Sequence, residues 1–403
     1  MINVREATEN DVEAIRELFV ESYGGTYAYP QYYDVTKLKK MVFADNTLLL
    51  VAESPEDGRV LGTASIVMHV GAYNDLVGEF GRLAVHPEAR NQGLGHELIR
   101  GRIERAQQRL QLGIVENRVV HPFSQKISAA HQFRCVGLLP QKLLTDQRES
   151  VALYVRYFGD GLKLRRNHPR VISEAHELAE MAMDNLELEP DVIVDIGSSP
   201  YPHDERFELQ EFRTEGYSTL LRLERGRIHN REVFGPLRLH YGLFQIRSRD
   251  SNYLVAREGK RLAGGVGFAF DPVEKTVRIF ELISASERPI RFLLENLDRF
   301  CRENLKAEYV EVDVSAHAPQ MQRTFWELGY VPTAYVPALT FHQVERLDAV
   351  KIVRLYQSPE FGQEQLTPTS QHIADLVMRQ YSERFVLPRI VTAAKQTALF
   401  TDL

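Results

Sequence analysis

The sequence predicts an α/β protein made of two mixed α/β units in tandem, and three observations support this prediction. The chain has 403 residues, which is too long for one average domain and sufficient for two. Strand-like and helix-like hydrophobic patterns alternate through residues 1–158. A segment rich in glycine and basic residues then interrupts the alternation at 159–169, and part of the first pattern recurs beyond it.

The first unit is expected to cross repeatedly between strand and helix. A short strand at 2–6 precedes a helix in which Val12, Ile15, Leu18 and Phe19 recur at helical spacing. Glycine, proline and acidic turn signals separate the later elements. These elements are one or two helical turns at 37–43, strands at 47–52, 60–69 and 76–85, a helix at 93–110, a strand at 113–120, a helix at 123–132 and a strand at 151–158.

The second unit partly repeats the first. After a predicted helix at 171–188, the stretch VAREGKRLAGGVGFAF at 255–270 resembles VAESPEDGRVLGTASIVM at 51–68. The stretch ELGYVPTAYVP at 327–337 likewise resembles HQFRCVGLLP at 131–140. These similarities favour a duplicated fold with one altered copy, although two α/β domains with ordinary turn sequences would also give them. We therefore expect domains at 1–158 and 170–403, joined by a linker at 159–169.

Composition excludes several classes of protein. Hydrophobic residues make up 44% of the chain and charged residues 26%, which is typical of globular proteins and excludes disordered, collagen-like and coiled-coil chains. The net charge of −6 predicts no nucleic-acid partner and no membrane partner. No apolar stretch is long enough to span a bilayer, and the first residues do not resemble a signal peptide. Cys135 and Cys301 lack the spacing of metal ligands, so we expect a cytoplasmic protein without a metal.

The most informative motif is Arg90-x-x-Gly93-x-Gly95, which lies between a predicted strand and a predicted helix. The first turn of a helix presents unpaired N–H groups and the positive end of the helix dipole. Glycines allow the backbone to approach a diphosphate closely, and an arginine adds a charged hydrogen-bond donor. A glycine-rich turn without any ligand is the alternative interpretation.

This motif resembles motif A of the GNAT superfamily, whose members bind acetyl-CoA and mostly transfer its acetyl group to an amine. The start REATEND, the hairpin through VLGTASIVM and a late helix ending near Phe133 also match the order of the family. The resemblance covers residues 1–158 well and the second half only in general shape. It implies two twisted, mostly antiparallel sheets, each with a splayed parallel central pair and flanking helices.

The resemblance also implies which residues bind acetyl-CoA. Backbone N–H groups from Gln92 to His96 would hold the pyrophosphate, and backbone groups of Leu83 and Val85 would pair with the pantetheine arm. An N–H near Ala84 would face the thioester carbonyl and stabilise an oxyanion. The complete set of expected cofactor residues is Leu83, Ala84, Val85, Arg90, Asn91, Gln92, Gly93, Leu94, Gly95, His96 and Ser124.

Glu79 is the candidate general base. An alkylammonium group must lose a proton before it attacks a thioester, and a carboxylate at the mouth of the cleft can accept that proton, especially if burial raises the pKa of the carboxyl. Counted back from Gly93, Glu79 lies where the histone acetyltransferase branch of the family carries its glutamate base. The alternative is a strand carboxylate that faces solvent.

The residue at the position of the general acid differs from the family pattern. Many members protonate the leaving thiolate with a tyrosine, and Ser128 occupies that position here. Ser128, Ser124 or His121 could substitute, or the thiolate could leave without protonation because a thiol of pKa near 8.5 is a tolerable leaving group. His121 precedes a proline at a helix start, so capping of that helix is the other role considered for it.

A tyrosine-rich loop at 22–34 corresponds to one wall of the acceptor site in the family. Tyr27, Tyr29 and Tyr33 could stack on a planar or cationic acceptor, or could simply pack among themselves. Cys135 is expected to be a small buried residue and not a nucleophile.

The second half lacks the cofactor motif. Its matching segment, FELISASERPIR at 280–291, contains no glycine, and Pro289 removes one backbone donor. We expect a degenerate copy that shapes the acceptor site, holds a dimer or binds a partner.

The sequence thus predicts an acetyl-CoA-dependent N-acetyltransferase that acts by direct transfer on a primary amine of a small molecule or peptide. A non-catalytic acyl-CoA sensor is the alternative. The acceptor, the length of the acyl group and the presence of a homodimer are left open.

Overall fold

The computed structural model describes residues 2–25, 27, 29–69, 76–145, 147–212, 232–234, 251–342, 344–357, 359–362 and 364–386. Parts of two predicted regions lie outside these ranges. They are positions 26 and 28 of the tyrosine-rich loop, and residues 213–231, 235–250 and 387–403 of the predicted second domain.

The predicted helices form close to their expected limits. In the described residues the α-helices are α1 (Val12–Tyr23), α2 (Val35–Val42), α3 (Leu94–Ala106), α4 (Phe123–Ala130), α5 (Ser173–Asn185), α6 (Arg288–Glu303), α7 (Pro319–Glu327) and α8 (Pro368–Tyr381). Helix α1 buries Val12, Ile15, Leu18 and Phe19, which confirms the predicted apolar face. It ends at Gly24, whose φ of 58° is the left-handed conformation that commonly terminates helices.

The strands of the first half are β1 (Asn3–Glu6), β2 (Thr47–Glu53), β3 (Val60–His69), β4 (Val77–Val85), β5 (Leu112–Arg118), β6 (Arg134–Leu144) and β7 (Arg148–Tyr157). Those of the second half are β8 (Arg170–Ile172), β9 (Ile193–Asp195), β10 (Glu208–Phe212), β11 (Val233–Phe234), β12 (Ser251–Glu258), β13 (Arg261–Asp271), β14 (Thr276–Ser284), β15 (Tyr309–Ser315), β16 (Val331–His342) and β17 (Glu345–Leu355). The sequence did not predict β6.

One continuous mixed sheet joins most of these strands, which confirms the predicted α/β fold class. Its order is β1-β2-β3-β4-β5-β7-β6-β16-β17-β15-β14-β13-β12-β10, with β11 paired to β15. The run β2-β3-β4-β5-β7-β6 recurs in mirror order as β16-β17-β15-β14-β13-β12. Each run contains a parallel central pair, β4 with β5 and β14 with β15, among antiparallel neighbours. We propose on this symmetry that residues 1–158 and 170–403 are two domains derived from one fold.

The two halves meet edge to edge and interlock. Strands β6 and β16 touch at Gly137↔Ala334, and helix α5 packs against both strands. The segment before α8 crosses the first half, where the N–H of Gln365 donates to the carbonyl of Val119 at 2.6 Å. The proposed linker is also anchored, because Arg165 forms an ion pair with Asp348 of β17 at 2.6 Å. We infer from these contacts that the halves fold against each other.

Among the helices of the described segments, none combines the length and apolar character needed to cross a membrane.

Candidate active site

Two parallel strands separate at the centre of the first half and leave a crevice between them. The last register pair of β4 and β5 is Phe80↔Val115, although β4 continues to Val85 and β5 continues to Arg118. Beyond that pair, the facing edges of the two strands do not pair with each other. An extended ligand can therefore form strand-like hydrogen bonds between them.

A β-bulge shapes the β4 side of this crevice. The register of β3 and β4 shifts between Thr63 and Ser65, and the facing residue Arg82 has a φ of 55°. Arg102 of α3 is buried beneath the bulge and donates to the carbonyls of Ser65 at 3.1 Å and Gly81 at 3.3 Å. These bonds fix the bulge and so set the direction of the backbone that follows it.

The loop after β4 turns directly into the N-terminus of α3. Asn91 and Gly93 both have left-handed φ values, 62° and 82°, which turn the chain sharply into the helix. The N–H groups of Leu94 and Gly95 have no hydrogen-bond acceptor among the described residues, as expected in the first turn of a helix. Arg90 is exposed beside them and forms no ion pair with a described residue. The loop therefore presents free donors and a free cation on one side.

Most of the predicted cofactor residues line one cleft that includes the crevice. Those that line it are Leu83, Val85, Arg90, Asn91, Gly93, Leu94, Gly95, His96 and Ser124. Two predicted residues do not line it. Ala84 is buried in the hydrophobic cluster beneath α1, and the side-chain amide of Gln92 donates to the carbonyl of Glu88 at 3.0 Å.

The wall opposite the loop carries three buried polar atoms that have no hydrogen-bond partner among the residues the structure describes. They are Nδ2 of Asn117 in β5, Nδ1 of His121 and Oγ of Ser124 in α4, and all three residues line the cleft. Buried polar groups are almost always hydrogen-bonded in folded proteins. These three atoms are therefore available to hydrogen-bond with a ligand or with water in the cleft.

The candidate general acids differ in their availability. Ser128 is buried, and its hydroxyl donates to Oδ1 of Asn117 at 3.2 Å. His121 does not cap α4, whose N-cap is Pro122 without a side-chain bond. Burial and the positive charge of Arg118 lower the pKa of His121, so this imidazole is neutral at neutral pH. A neutral imidazole is a poor proton donor to a thiolate.

Glu79 lies on β4 at the cleft wall, and its side chain is 31% exposed. It accepts a hydrogen bond from Nε2 of His69 at 3.2 Å, and Nη2 of Arg82 lies 3.4 Å from its other oxygen. Burial raises its pKa, but the His69 hydrogen bond and the charges of His69, Arg82 and Arg278 outweigh burial and hold the pKa well below its usual range. Glu79 is therefore an ionised, ion-paired group, and the raised pKa that would have made it a stronger base is not present.

The tyrosine-rich loop divides into lining and supporting residues. Tyr27 and Tyr29 line the cleft, with ring centroids 5.4 Å apart in an edge-to-face arrangement. The Arg82 guanidinium lies 5.5 Å from the centroid of the Tyr29 ring. Tyr33 does not line the cleft, and its hydroxyl accepts the N–H of Tyr27 at 2.9 Å. Its role here is to hold the loop.

The cleft has a volume of about 1920 Å³ and extends from the α3 loop to the second half. Sites for drug-sized ligands occupy about 300–1,000 Å³, so this cleft has room for a large cofactor and a second substrate together. The second half supplies one wall through the β13–β14 turn and the inner residues of β14, β15 and β17. Its charged lining residues are Asp271, Glu274, Arg278, Glu311, Asp313 and Lys351.

A buried ion-pair network crosses the seam at this wall. Nζ of Lys142 on β6 lies 2.5 Å from Glu116 of the first half and 3.2 Å from Glu311 of the second. Arg278 pairs with the same Glu311 at 2.6 Å. Burial raises the pKa of Glu311, but Arg278, Lys142 and Lys351 hold it well below its usual range. The network fixes the two walls of the cleft relative to each other.

The equivalent crevice of the second half is filled by the chain itself. Strands β14 and β15 pair no further than Ile279↔Val312. Beyond that point β11 pairs antiparallel with β15, with Val233 opposite Val314. Helix α6 then begins at Arg288 with Pro289 in its first turn. A segment of this protein thus lies where a pantetheine arm would form strand-like bonds.

Sequence reasoning missed the partners of the predicted site residues. His69 ends β3 and reaches Glu79 across the β3–β4 pair, two positions from the register partner Val67. An antiparallel pairing of the predicted strands at 60–69 and 76–85 could have suggested that contact. Nothing in the local pattern of the second half indicates that its β13–β14 turn reaches the cleft of the first half.

Comparison with protein-family models finds one match. Residues 12–127 match the model of the Acetyltransferase (GNAT) family, which spans α1, the α3 loop and most of α4. No curated protein sequence gives a significant match to the chain.

Solved structures similar to this chain each cover about 40% of it. A GNAT superfamily phosphinothricin acetyltransferase from Sinorhizobium meliloti, in complex with AcCoA, is 21% identical, is covered over 89% of its own length and has a TM-score of 0.35. The ribosomal-protein-S18-alanine N-acetyltransferase from Escherichia coli is 16% identical over 40% of this chain and 95% of its own, with a TM-score of 0.33. A GNAT-family acetyltransferase from Streptococcus pneumoniae is 19% identical over 40% of this chain and all of its own, with a TM-score of 0.35.

Proposed function

Because residues 12–127 match the model of the Acetyltransferase (GNAT) family, we propose that the protein transfers the acetyl group of acetyl-CoA to a primary amine of a small molecule or peptide. One observation carries the proposal. The free N–H groups at the start of α3 and the three unpartnered polar atoms of the opposite wall border the same crevice between β4 and β5.

The residues present fit acetyl-CoA. The α3 N-terminus and Arg90 supply the donors and positive charge that a pyrophosphate requires. Asn117, His121 and Ser124 supply partners for the amides and hydroxyl of a pantetheine arm. When bound, acetyl-CoA provides the thioester whose carbonyl carbon the amine attacks, with CoA leaving as the thiolate.

In this proposal Glu79 receives the proton of the acceptor amine, and the hydrogen bond from His69 orients its carboxylate. The ionised carboxylate of Glu79 attracts the ammonium group into the site and accepts, directly or through water, the proton that the nitrogen must lose before attack. The low pKa of Glu79 makes this carboxylate a weak base by itself.

The cofactor site is tested by replacing Gly93 with alanine. A Cβ at Gly93 would have no atom of a described residue within 4 Å, so the substitution leaves this packing unchanged and adds only the strain of a φ of 82°. That strain costs about 1–2 kcal/mol. We expect Gly93→Ala to weaken acetyl-CoA binding at least tenfold, measured by titration calorimetry, because the new methyl group obstructs the approach of the pyrophosphate.

Gly259→Ala is the matched control. Gly259 in the β12–β13 turn has a φ of 58°, and a Cβ there would likewise have no atom within 4 Å in the described part of the chain. Both variants should lose similar stability, and only Gly93→Ala should lose affinity for acetyl-CoA. Equal affinity in the two variants would remove the α3 loop from the cofactor site.

Binding and turnover are then separated. Acetyl-CoA at a hundred times its Kd should stabilise the wild-type protein by about 2.7 kcal/mol in thermal unfolding. Release of free CoA with a panel of primary amines distinguishes an enzyme from a sensor. Stabilisation by acetyl-CoA without CoA release from any amine would favour the sensor.

A further inference from the structure

The β13–β14 turn of the second half reaches the cleft and carries Glu274, whose carboxylate differs from most others in the cleft in its lack of an ion pair. The charged wall contains several acidic groups, and most have a cation within ion-pair distance. Glu79 has Arg82, Glu116 and Glu311 share Lys142, and Asp313 has Lys351 at 2.7 Å. Glu274 forms no ion pair with any residue that the structure describes, and its Oε1 is buried without a hydrogen-bond partner.

The turn holds Glu274 in place through its backbone. Nη2 of Arg148, on β7 of the first half, donates to the carbonyl of Glu274 at 2.6 Å. The same guanidinium pairs through Nε with Glu308 at 2.7 Å. Within the turn, Oδ1 of Asp271 accepts the N–H groups of Val273 and Glu274. The backbone of the turn is therefore held in place, whereas the carboxylate of Glu274 remains available to a ligand.

The surroundings of Glu274 leave its charge uncompensated. Burial and the negative charges of Asp271, Glu116 and Glu311 raise the pKa of this carboxyl to about 7, while Lys142 lowers it. Burial and the negative charges of Glu116 and Glu274 raise the pKa of Tyr29, which lies on the opposite wall. A cation that enters between the tyrosine-rich loop and the turn would therefore pair with Glu274, which has no ion-pair partner among the described residues.

We propose that Glu274 is a specificity-determining residue that binds a positively charged group of the acceptor, so that the second half selects cationic amines. The inference rests on the proposed N-acetyltransferase function and narrows its substrate class. The acceptor would be an amine with a second ammonium group, such as a diamine or a basic peptide, and not an amine with a nearby carboxylate. Glu79 serves the reacting nitrogen and Glu274 serves the distal charge.

The test compares three amines of similar length in wild type and Glu274→Gln. They are 1,4-diaminobutane, butylamine and 4-aminobutanoate, assayed by CoA release. Wild type should favour the diamine over 4-aminobutanoate in kcat/KM by at least tenfold. Glu274→Gln should raise KM for the diamine about 10- to 100-fold with little change in kcat, and should leave butylamine unaffected. Glu345→Gln, which changes an exposed carboxylate at the start of β17 in the same half, should behave as wild type.

A second readout does not depend on turnover. In the presence of saturating CoA, the diamine should raise the melting temperature of wild type more than 4-aminobutanoate does, and Glu274→Gln should abolish the difference. Alkylammonium groups stay charged near neutrality. The preference of wild type should therefore weaken below about pH 7 as Glu274 is protonated, and Glu274→Gln should show no such change.

The outcomes separate this inference from the proposed function. Failure of acetyl-CoA to bind wild type would contradict the proposed function. Binding of acetyl-CoA together with equal responses to the three amines, or with an unchanged preference in Glu274→Gln, would overturn only the role of Glu274. A loss of kcat without a change in preference would also overturn it and would assign Glu274 to proton transfer.

Discussion

Glu79→Gln is expected to lower kcat/KM for the acceptor by about 10²- to 10⁴-fold, the usual range for loss of a residue that assists proton transfer. The substitution keeps the shape of the side chain and removes the charge that pairs with Arg82 and His69. The acceptor ammonium then loses its electrostatic partner, and His69 loses the carboxylate that orients it. Affinity for acetyl-CoA, measured by calorimetry, should stay within about twofold of wild type.

The pH dependence of the same variant gives a sharper test. A carboxyl whose pKa is lowered stays ionised until the pH falls through that low value, so Glu79 contributes no change of charge between about pH 5 and 8. The profiles of log kcat/KM for wild type and Glu79→Gln should therefore be parallel across this range. Glu13→Gln, an exposed carboxylate on α1, is the control. Profiles that converge at low pH would show that Glu79 titrates in this range and that its ion pairs do not form as described.

Local signals explain what the sequence could predict. The apolar face of α1, the strand-to-helix turn at Gly93 and the hairpin of β2 and β3 each depend on residues close in the chain. The missed strand β6 illustrates the opposite case. It is buried on both faces and contains Pro140, so it lacks the alternation that marks a half-buried strand.

Non-local contacts explain what the sequence could not predict. The direction of the Glu79 pKa shift depends on His69 and Arg82, whose side chains meet it only after β3 and β4 pair around the bulge. The wall of the cleft depends on contacts such as that of Lys142 with Glu311, which are 169 residues apart. The motif at Gly93 predicted the turn that leads into α3, whereas the second-half wall of the cleft required the folded chain.

Gly137→Ala is expected to cause the largest loss of stability, because Gly137 lies where the sheets of the two halves meet. A Cβ at this position would lie 2.1 Å from Cβ of Ala334 and 2.7 Å from the carbonyl oxygen of Thr333. Backbone atoms cannot rotate away as a flexible side chain can, so the β6–β16 contact must open. Overpacking of a core costs about 1–3 kcal/mol, and we expect a loss at or above the upper end of that range in urea unfolding.

Two further variants show whether the seam is the cause. Gly197→Ala adds the same methyl group at a site with no atom within 4 Å and should leave the urea midpoint unchanged. Ala334→Gly, combined with Gly137→Ala, removes the closest contact and should recover part of the lost stability, since the two positions are directly coupled.

Because the same seam supports both walls of the cleft, Gly137→Ala should also reduce discrimination between 1,4-diaminobutane and 4-aminobutanoate at temperatures where the protein remains folded. If the urea midpoint of Gly137→Ala equals that of wild type, β6 and β16 do not meet at Gly137 and Ala334. The cleft would then lack its second wall.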